Sequence, residues 1–146
     1  MNITIRKMQR DDSAIVIDMM RGFYSSPALI TNGSEKIFQA NVATCLSGKT
    51  CAEGFVFVDG KIIGYGITAR GYSTEFGGEC IWIEDIFVAE DYRGRGVGSE
   101  FIRFVKARYP DKILRLETET DNAGALALYR RLGFKELPYL EMVRSD

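Results

Sequence analysis

The segment CIWIEDIFVAEDYRGRGVGSEFIRFVKARYPDKILRLETE (80–119) limits the choice of fold more than any other. Residues 80–90 are rich in β-branched and aromatic side chains and read as a strand. Val97, Phe101, Phe104 and Val105 share one face of a following helix, which Pro110 ends. KILRLETE (112–119) reads as a second strand. A strand–helix–strand run of this length is a crossover that returns its strands parallel to each other. The joint between strand and helix is YRGRGVGS (92–99), with three glycines in five residues. Each glycine in an element interior costs roughly 0.5–1 kcal/mol relative to alanine. Such a joint is a backbone bent tightly around something, and Arg93 and Arg95 make that something an anion.

The rest of the chain completes one α/β domain over residues 1–146, with antiparallel strands early and the parallel crossover late. NITIRK (2–7) alternates as a strand. Asp11, Asp12 and Ser13 are capping candidates for a helix ending near Tyr24. SSPALITNG (25–33) is a loop, and Ser34 caps a second helix to about Leu46. Phe55–Val58 and Lys61–Thr68 are strands joined by Asp59-Gly60, a strong hairpin signal. GYSTEFGG (71–78) reads as a loop. DNAGALALYRRLGF places Ala125, Leu128, Tyr129 and Leu132 on one helical face, with Gly133 as its stop. YLEMVR (139–144) closes as a short strand.

Composition excludes several functions. The net charge of −1 is not the basic footprint of a nucleic-acid binder. No apolar run approaches the roughly 18 residues of a membrane span. Three cysteines without CxxC spacing argue against disulfides and zinc, which makes a reducing cytoplasm the natural compartment. The chain has no histidine, so acid–base chemistry falls to carboxylates, tyrosine, cysteine, backbone or water.

A helix N-terminus preceded by small residues is suited to a phosphate, because unpaired N–H groups and the helix dipole both point at it. A P-loop, GxxxxGK[ST], counted from Gly94 meets Ser99 where its second glycine belongs, and no Lys-Ser/Thr follows. A dinucleotide fingerprint, GxGxxG, is met by Gly94 and Gly96 but again fails at Ser99. Glu117 and Glu119 stand about 20 residues on, so a dinucleotide-binding protein survives as a weak alternative.

RxxGxG is met in full by Arg93, Gly96 and Gly98. With IEDIFVAEDYRGRGVGS before it and TDNAGALALYRRLGF after it, the chain resembles the GNAT superfamily of N-acetyltransferases, and nearest in motif its polyamine acetyltransferase branch. The resemblance implies a single GNAT-like α/β (α+β) domain, with a mixed central sheet, splayed parallel strands and about four flanking helices. It implies acetyl-coenzyme A as co-substrate and no metal. Backbone groups of Ile86, Phe87 and Val88 would pair with the pantetheine arm, and the Val88 N–H would face the thioester oxygen. Arg93, Gly94, Arg95, Gly96, Val97, Gly98 and Ser99 would cradle the pyrophosphate. Asn122 would bond the cofactor, cap a helix, or do both. Tyr129 stands at the general-acid position, with a core tyrosine as its plainer role. Glu84 is the expected base and Asp85 the competitor. Strand alternation sends these two carboxylates to opposite faces unless a bulge intervenes.

The implied acceptor is a primary amine on a small molecule or peptide, with no nucleic-acid or membrane partner and with a homodimer left open. Glu75, Tyr72 and Trp82 are candidates for contact with a cationic acceptor. A non-catalytic acyl-coenzyme A sensor of the same fold is the main alternative.

Overall fold

The computed structural model describes residues 2–26, 29, 31–49 and 51–146. Five strands form one mixed sheet: β1 (Thr4–Lys7), β2 (Ala52–Asp59), β3 (Lys61–Ser73), β4 (Gly78–Val88) and β5 (Ile113–Leu116). They lie side by side in sequence order. Neighbours from β1 to β4 are antiparallel, and β4 and β5 are parallel. Among the described residues the four α-helices are α1 (Ser13–Tyr24), α2 (Glu35–Leu46), α3 (Val97–Arg108) and α4 (Ala123–Arg131).

Alternation along the strands divides the core into two layers. Phe55, Phe57, Ile81 and Ile83 project to one face, where Val97, Phe101 and Val105 of α3 meet them. Val56, Tyr65 and Ile67 project to the other, against Val16 and Met20 of α1 and Phe38 and Val42 of α2. Gly66 marks how closely α3 approaches. A Cβ there would lie 2.3 Å from the Phe101 ring, so only a residue without a side chain lets that ring lie on the sheet.

The hairpin strands outrun the sequence reading. β2 starts three residues early, and β3 continues through Gly71 to Ser73, pairing Ser73 with Gly78. The loop expected over 71–78 therefore shrinks to a turn, in which Ser73 Oγ accepts a 3.2 Å hydrogen bond from the Phe76 N–H. The expected loop at 25–33 includes Pro27, Ala28 and Ile30, which lie outside the described residues.

The expected strand at 139–144 is not formed. Alternation makes a strand only where a ladder partner is available, and this segment attaches through side chains instead. The Tyr139 hydroxyl donates to Glu75 at 2.6 Å, while Leu140, Met142 and Val143 stay exposed.

Candidate functional site

β5 pairs with β4 only from Cys80↔Ile113 to Ile83↔Leu116, where β5 ends. β4 runs on to Val88, still paired with β3 on its other side. Past Ile83, then, β4 has one open edge. The Ala89 N–H donates to the Ile63 carbonyl at 2.8 Å, toward β3. Backbone groups alternate sides along a strand. Val88 and Ile86 consequently turn their N–H and C=O toward the open edge. Phe87 turns its backbone toward β3, its carbonyl oxygen lying against Gly64. Of the three residues expected to meet an extended ligand with backbone groups, only Ile86 and Val88 face it.

The glycine joint lies at the end of this edge. Gly94 and Gly96 take φ of 73° and 84°, a left-handed backbone that glycine adopts without strain. A Cβ on either would have nothing within 4 Å, so the space beside both is open. Gly96 is the N-cap of α3 and offers no side-chain acceptor, which leaves the first N–H groups of the helix to a ligand. Val97 and Ser99 are buried, and Gly98 faces Leu128 and Ile86, tying α3 to α4 and β4. Arg93 folds back over the Phe87 ring and donates from Nε to the Val88 carbonyl at 2.8 Å. The Arg95 guanidinium lies over Tyr92. These residues fit a diphosphate: two open glycine positions, free helix N–H groups and two guanidinium groups.

Asn122 caps α4, its side chain accepting from the Ala125 N–H at 3.2 Å. Tyr129 stands in the last turn of α4, half-buried, with its ring edge-on to Phe134. Burial pushes its phenol up from the ordinary tyrosine value. Among the described residues its hydroxyl makes no hydrogen bond.

The two carboxylates do not go to opposite faces. Ile67 pairs with Asp85 and Thr68 with Ile83, so Glu84 is an extra residue in the ladder, a β-bulge. Alternation restarts there: Ile81 and Ile83 face α3, and beyond the bulge Ile86 and Val88 do so. Glu84 and Asp85 both reach one cavity of about 210 Å³, which Tyr24, Asn41, Thr44 and Cys45 also line.

Asp85 is only 6% exposed. It accepts a 2.8 Å hydrogen bond from the Tyr65 hydroxyl and one of 3.2 Å from Tyr24. Burial raises its carboxyl, and the two hydroxyls pull it partly back. Glu84 keeps solvent access, yet its carboxyl is raised by partial loss of hydration and by the charges of Asp85 and Glu141. Glu117, just past β5, is pushed up to about 7, first by sharing a hydrogen bond with Glu141. Glu84, Glu117 and Glu141 thus lie within electrostatic reach of one another, with Asp85 buried beside Glu84.

Of the residues expected to meet a cationic acceptor, Glu75 is taken by Tyr139, and the Trp82 ring already carries Arg115 at 4.5 Å. Tyr72 is exposed. Sequence reasoning placed Tyr24 only within an acceptor-side segment, FYSSPALITNG (23–33), missed Tyr65, met Glu117 only as a dinucleotide candidate, and missed Glu141. A tyrosine between two strand glycines, GYG at 64–66, was the available signal for Tyr65.

Among the described residues no helix is long and apolar enough to cross a membrane. In the solved structures, a possible acetyltransferase from Clostridium difficile 630 superposes with a TM-score of 0.83 at 19% identity, covering 99% of this chain and 97% of that one. AAC(6')-Iy, solved with the bisubstrate analogue CoA-S-monomethyl-acetylneamine, superposes at 0.82 and 18% identity, over 100% of this chain and 99% of that one. These likenesses speak to the fold alone. In sequence, thialysine N-epsilon-acetyltransferase of Bos taurus is 40% identical over 83 residues, 55% of this chain and 48% of that protein. N-alpha-acetyltransferase RimI of Mycobacterium tuberculosis is 37% identical over 79 residues, 53% of this chain and 48% of that protein. The chain thus spans about half the length of these curated relatives. The model of the acetyltransferase (GNAT) family matches residues 19–134, from the middle of α1 to the end of the DNAGALALYRRLGF stretch, and the chain belongs to that family.

Proposed function

We propose that this protein is an N-acetyltransferase that moves the acetyl group of acetyl-coenzyme A to a primary amine, on a small molecule or peptide, arriving as a cation. The observation that carries the reading is the open edge of β4, with Ile86 and Val88 directed into it and the uncapped glycine end of α3 beyond. An extended pantetheine arm would pair with Ile86 and Val88 as an added strand would. Its diphosphate would lie on Gly94, Gly96 and the first N–H groups of α3, with Arg93 and Arg95 adding charge-assisted bonds. Asn122 would stand beside the arm while capping α4.

The transfer is a direct attack in a ternary complex. The acceptor arrives as an ammonium with a pKa near 10 if it resembles lysine. Glu84, directly or through water, takes one proton. The freed lone pair then forms the N–C bond at the thioester carbon. Negative charge develops on the thioester oxygen, and the Val88 N–H is aimed to meet it. As the tetrahedral intermediate collapses the C–S bond breaks, Tyr129 gives its proton to the leaving sulfur, and the nitrogen loses its second proton through water, which restores the Tyr129 phenol and leaves a neutral amide. The carboxyl groups of Glu84, Asp85, Glu117 and Glu141 favour a positively charged acceptor. The similarity to a thialysine N-epsilon-acetyltransferase agrees with an aliphatic amine.

The test is a panel of amines incubated with acetyl-coenzyme A, with free thiol followed by a colorimetric reagent. Thiol released in step with an acetylated amine supports the reading. Tight acetyl-coenzyme A binding with no thiol release from any amine would make the protein a sensor instead.

A further inference from the structure

Asp85 is an expensive residue to bury. An ionised carboxylate removed from water is tolerated only where hydrogen bonds or charges answer it. Two hydroxyls answer this one, from different elements: Tyr65 in the middle of β3, and Tyr24 at the last turn of α1. A Tyr65 hydroxyl 2.8 Å from the carboxylate holds β3 to β4 beside the bulge. The bulge itself makes Asp85 the immediate neighbour of Glu84 on one cavity wall.

We infer that Tyr24, Tyr65 and Asp85 act together as positioning residues for amine deprotonation: the two hydroxyls hold a negative charge at Asp85, and that charge makes Glu84 a stronger proton acceptor. The inference rests on the reading of Glu84 as the base. Asp85 itself is the poorer candidate, since it is buried and its oxygens already accept from two tyrosines. A like charge next to Glu84 disfavours its ionised form. A base whose proton affinity is brought nearer to neutrality works better at neutral pH. The groups facing Asp85 are Tyr24 from α1, Cys45 from α2, Tyr65 from β3 and Glu84 on its own strand. Those acting on Glu84 are Asp85 and, from the C-terminal segment, Glu141, with Glu117 and Tyr24 close by. Except for Asp85 and its two tyrosines, none of these is held by a buried hydrogen bond to a fixed partner.

The decisive measurement is the titration of the Glu84 carboxyl by carbon-13 NMR in the intact chain, in wild type and in Asp85→Asn, Tyr24→Phe and Tyr65→Phe. Asp85→Asn removes the charge and should lower the Glu84 midpoint, each unit being a tenfold fall in proton affinity. Each tyrosine substitution should raise the Asp85 midpoint and lower that of Glu84. An unchanged Glu84 midpoint in folded Asp85→Asn overturns the inference. Should that variant fail to fold, Tyr24→Phe decides by the same readout, because it removes only the longer bond from a half-buried ring.

In kinetics, the acid limb of kcat/KM should move to lower pH in Asp85→Asn, with kcat reduced on the plateau. A residue that only supports the fold would lower activity without moving the limb. A wild type that releases no thiol with any amine sinks the proposed function, whereas the Glu84 midpoint still decides whether Asp85 strengthens it.

Discussion

Arg93 Nε donates to the carbonyl of Val88 across 2.8 Å, closing the end of the edge on which Val88 and Ile86 display their backbone groups. The guanidinium lies over the Phe87 ring, 5.7 Å from its centre. Arg93 thus fixes the last residues of β4 as well as bringing charge to the glycine joint. Arg93→Ala should weaken acetyl-coenzyme A binding by about 1.5–3 kcal/mol, the range for hydrogen bonds to charged groups. Arg93→Lys keeps the charge but loses the planar stack and the Nε bond, so it should recover only part of the loss. Calorimetry on the two variants separates charge from positioning. Equal affinity for lysine and arginine would mean that charge alone acts here.

Gly96→Val should abolish acetyl-coenzyme A binding with a modest loss of stability. In the free protein a Cβ at this position meets no atom within 4 Å, so the branch point enters open space. The cost there is a β-branched residue at φ 84°, about 1–2 kcal/mol. With ligand present, the same side chain occupies the space a phosphate needs. Calorimetry paired with thermal unfolding checks both halves. Unchanged affinity would remove the phosphate from this joint.

Much of this arrangement was legible in the sequence, and what was missed has a physical reason. The crossover of 80–119 was readable because strand, glycine joint, helix stripe and stop are all local signals. The bulge at Glu84 was not, since nothing in IEDIFV distinguishes an extra residue from regular alternation. It depends on where Ile67 and Thr68 find partners across the ladder. That one long-range fact moved Asp85 from the opposite face to the same cavity as Glu84. The Tyr24–Asp85 contact joins residues 61 positions apart and was equally out of reach. The C-terminal segment failed in the other direction: YLEMVR has the pattern of a strand, yet no backbone ladder receives it.

Tyr65→Phe should destabilise the fold by about 1–3 kcal/mol at neutral pH, the cost of leaving a buried acceptor short of a partner. The effect should depend on pH. Asp85 has its folded pKa raised above the unfolded value of about 3.9, so its contribution is favourable at low pH and is lost as pH rises through the folded value. Removing the Tyr65 donor raises that value further and deepens the loss. The gap in Tm between wild type and Tyr65→Phe should therefore be small near pH 4 and widen toward neutrality. A gap that is constant over this range would assign the loss to packing alone.

Tyr129→Phe should leave acetyl-coenzyme A affinity and Tm nearly unchanged, because the hydroxyl has no partner among the described residues. Turnover should fall by about 10²–10⁴-fold if protonation of the thiolate is lost. Coenzyme A thiol, like cysteine, has a pKa near 8.5, so the deficit should shrink for thioesters whose thiols are more acidic and leave without help. Stopped-flow turnover across such a series gives the answer. A deficit of the same size for every leaving thiol would return Tyr129 to the core it shares with Phe134.

Glu84→Gln tests the base. If Glu84 takes the ammonium proton, the variant should lose kcat/KM chiefly at low pH, where free amine is scarce. Raising the pH supplies free amine from solution and should restore much of the rate. Because Asp85 shares the cavity, Asp85→Asn should also alter the profile, but differently: its acid limb moves down while Glu84 still works as a weaker base. If Glu84 serves only to attract the cation, Glu84→Gln should raise KM with kcat little changed, the mark of lost uniform binding. The measurement is a set of three pH–rate profiles with one good amine acceptor. Wild-type and Glu84→Gln profiles that run parallel over the whole range would take the base role away from Glu84.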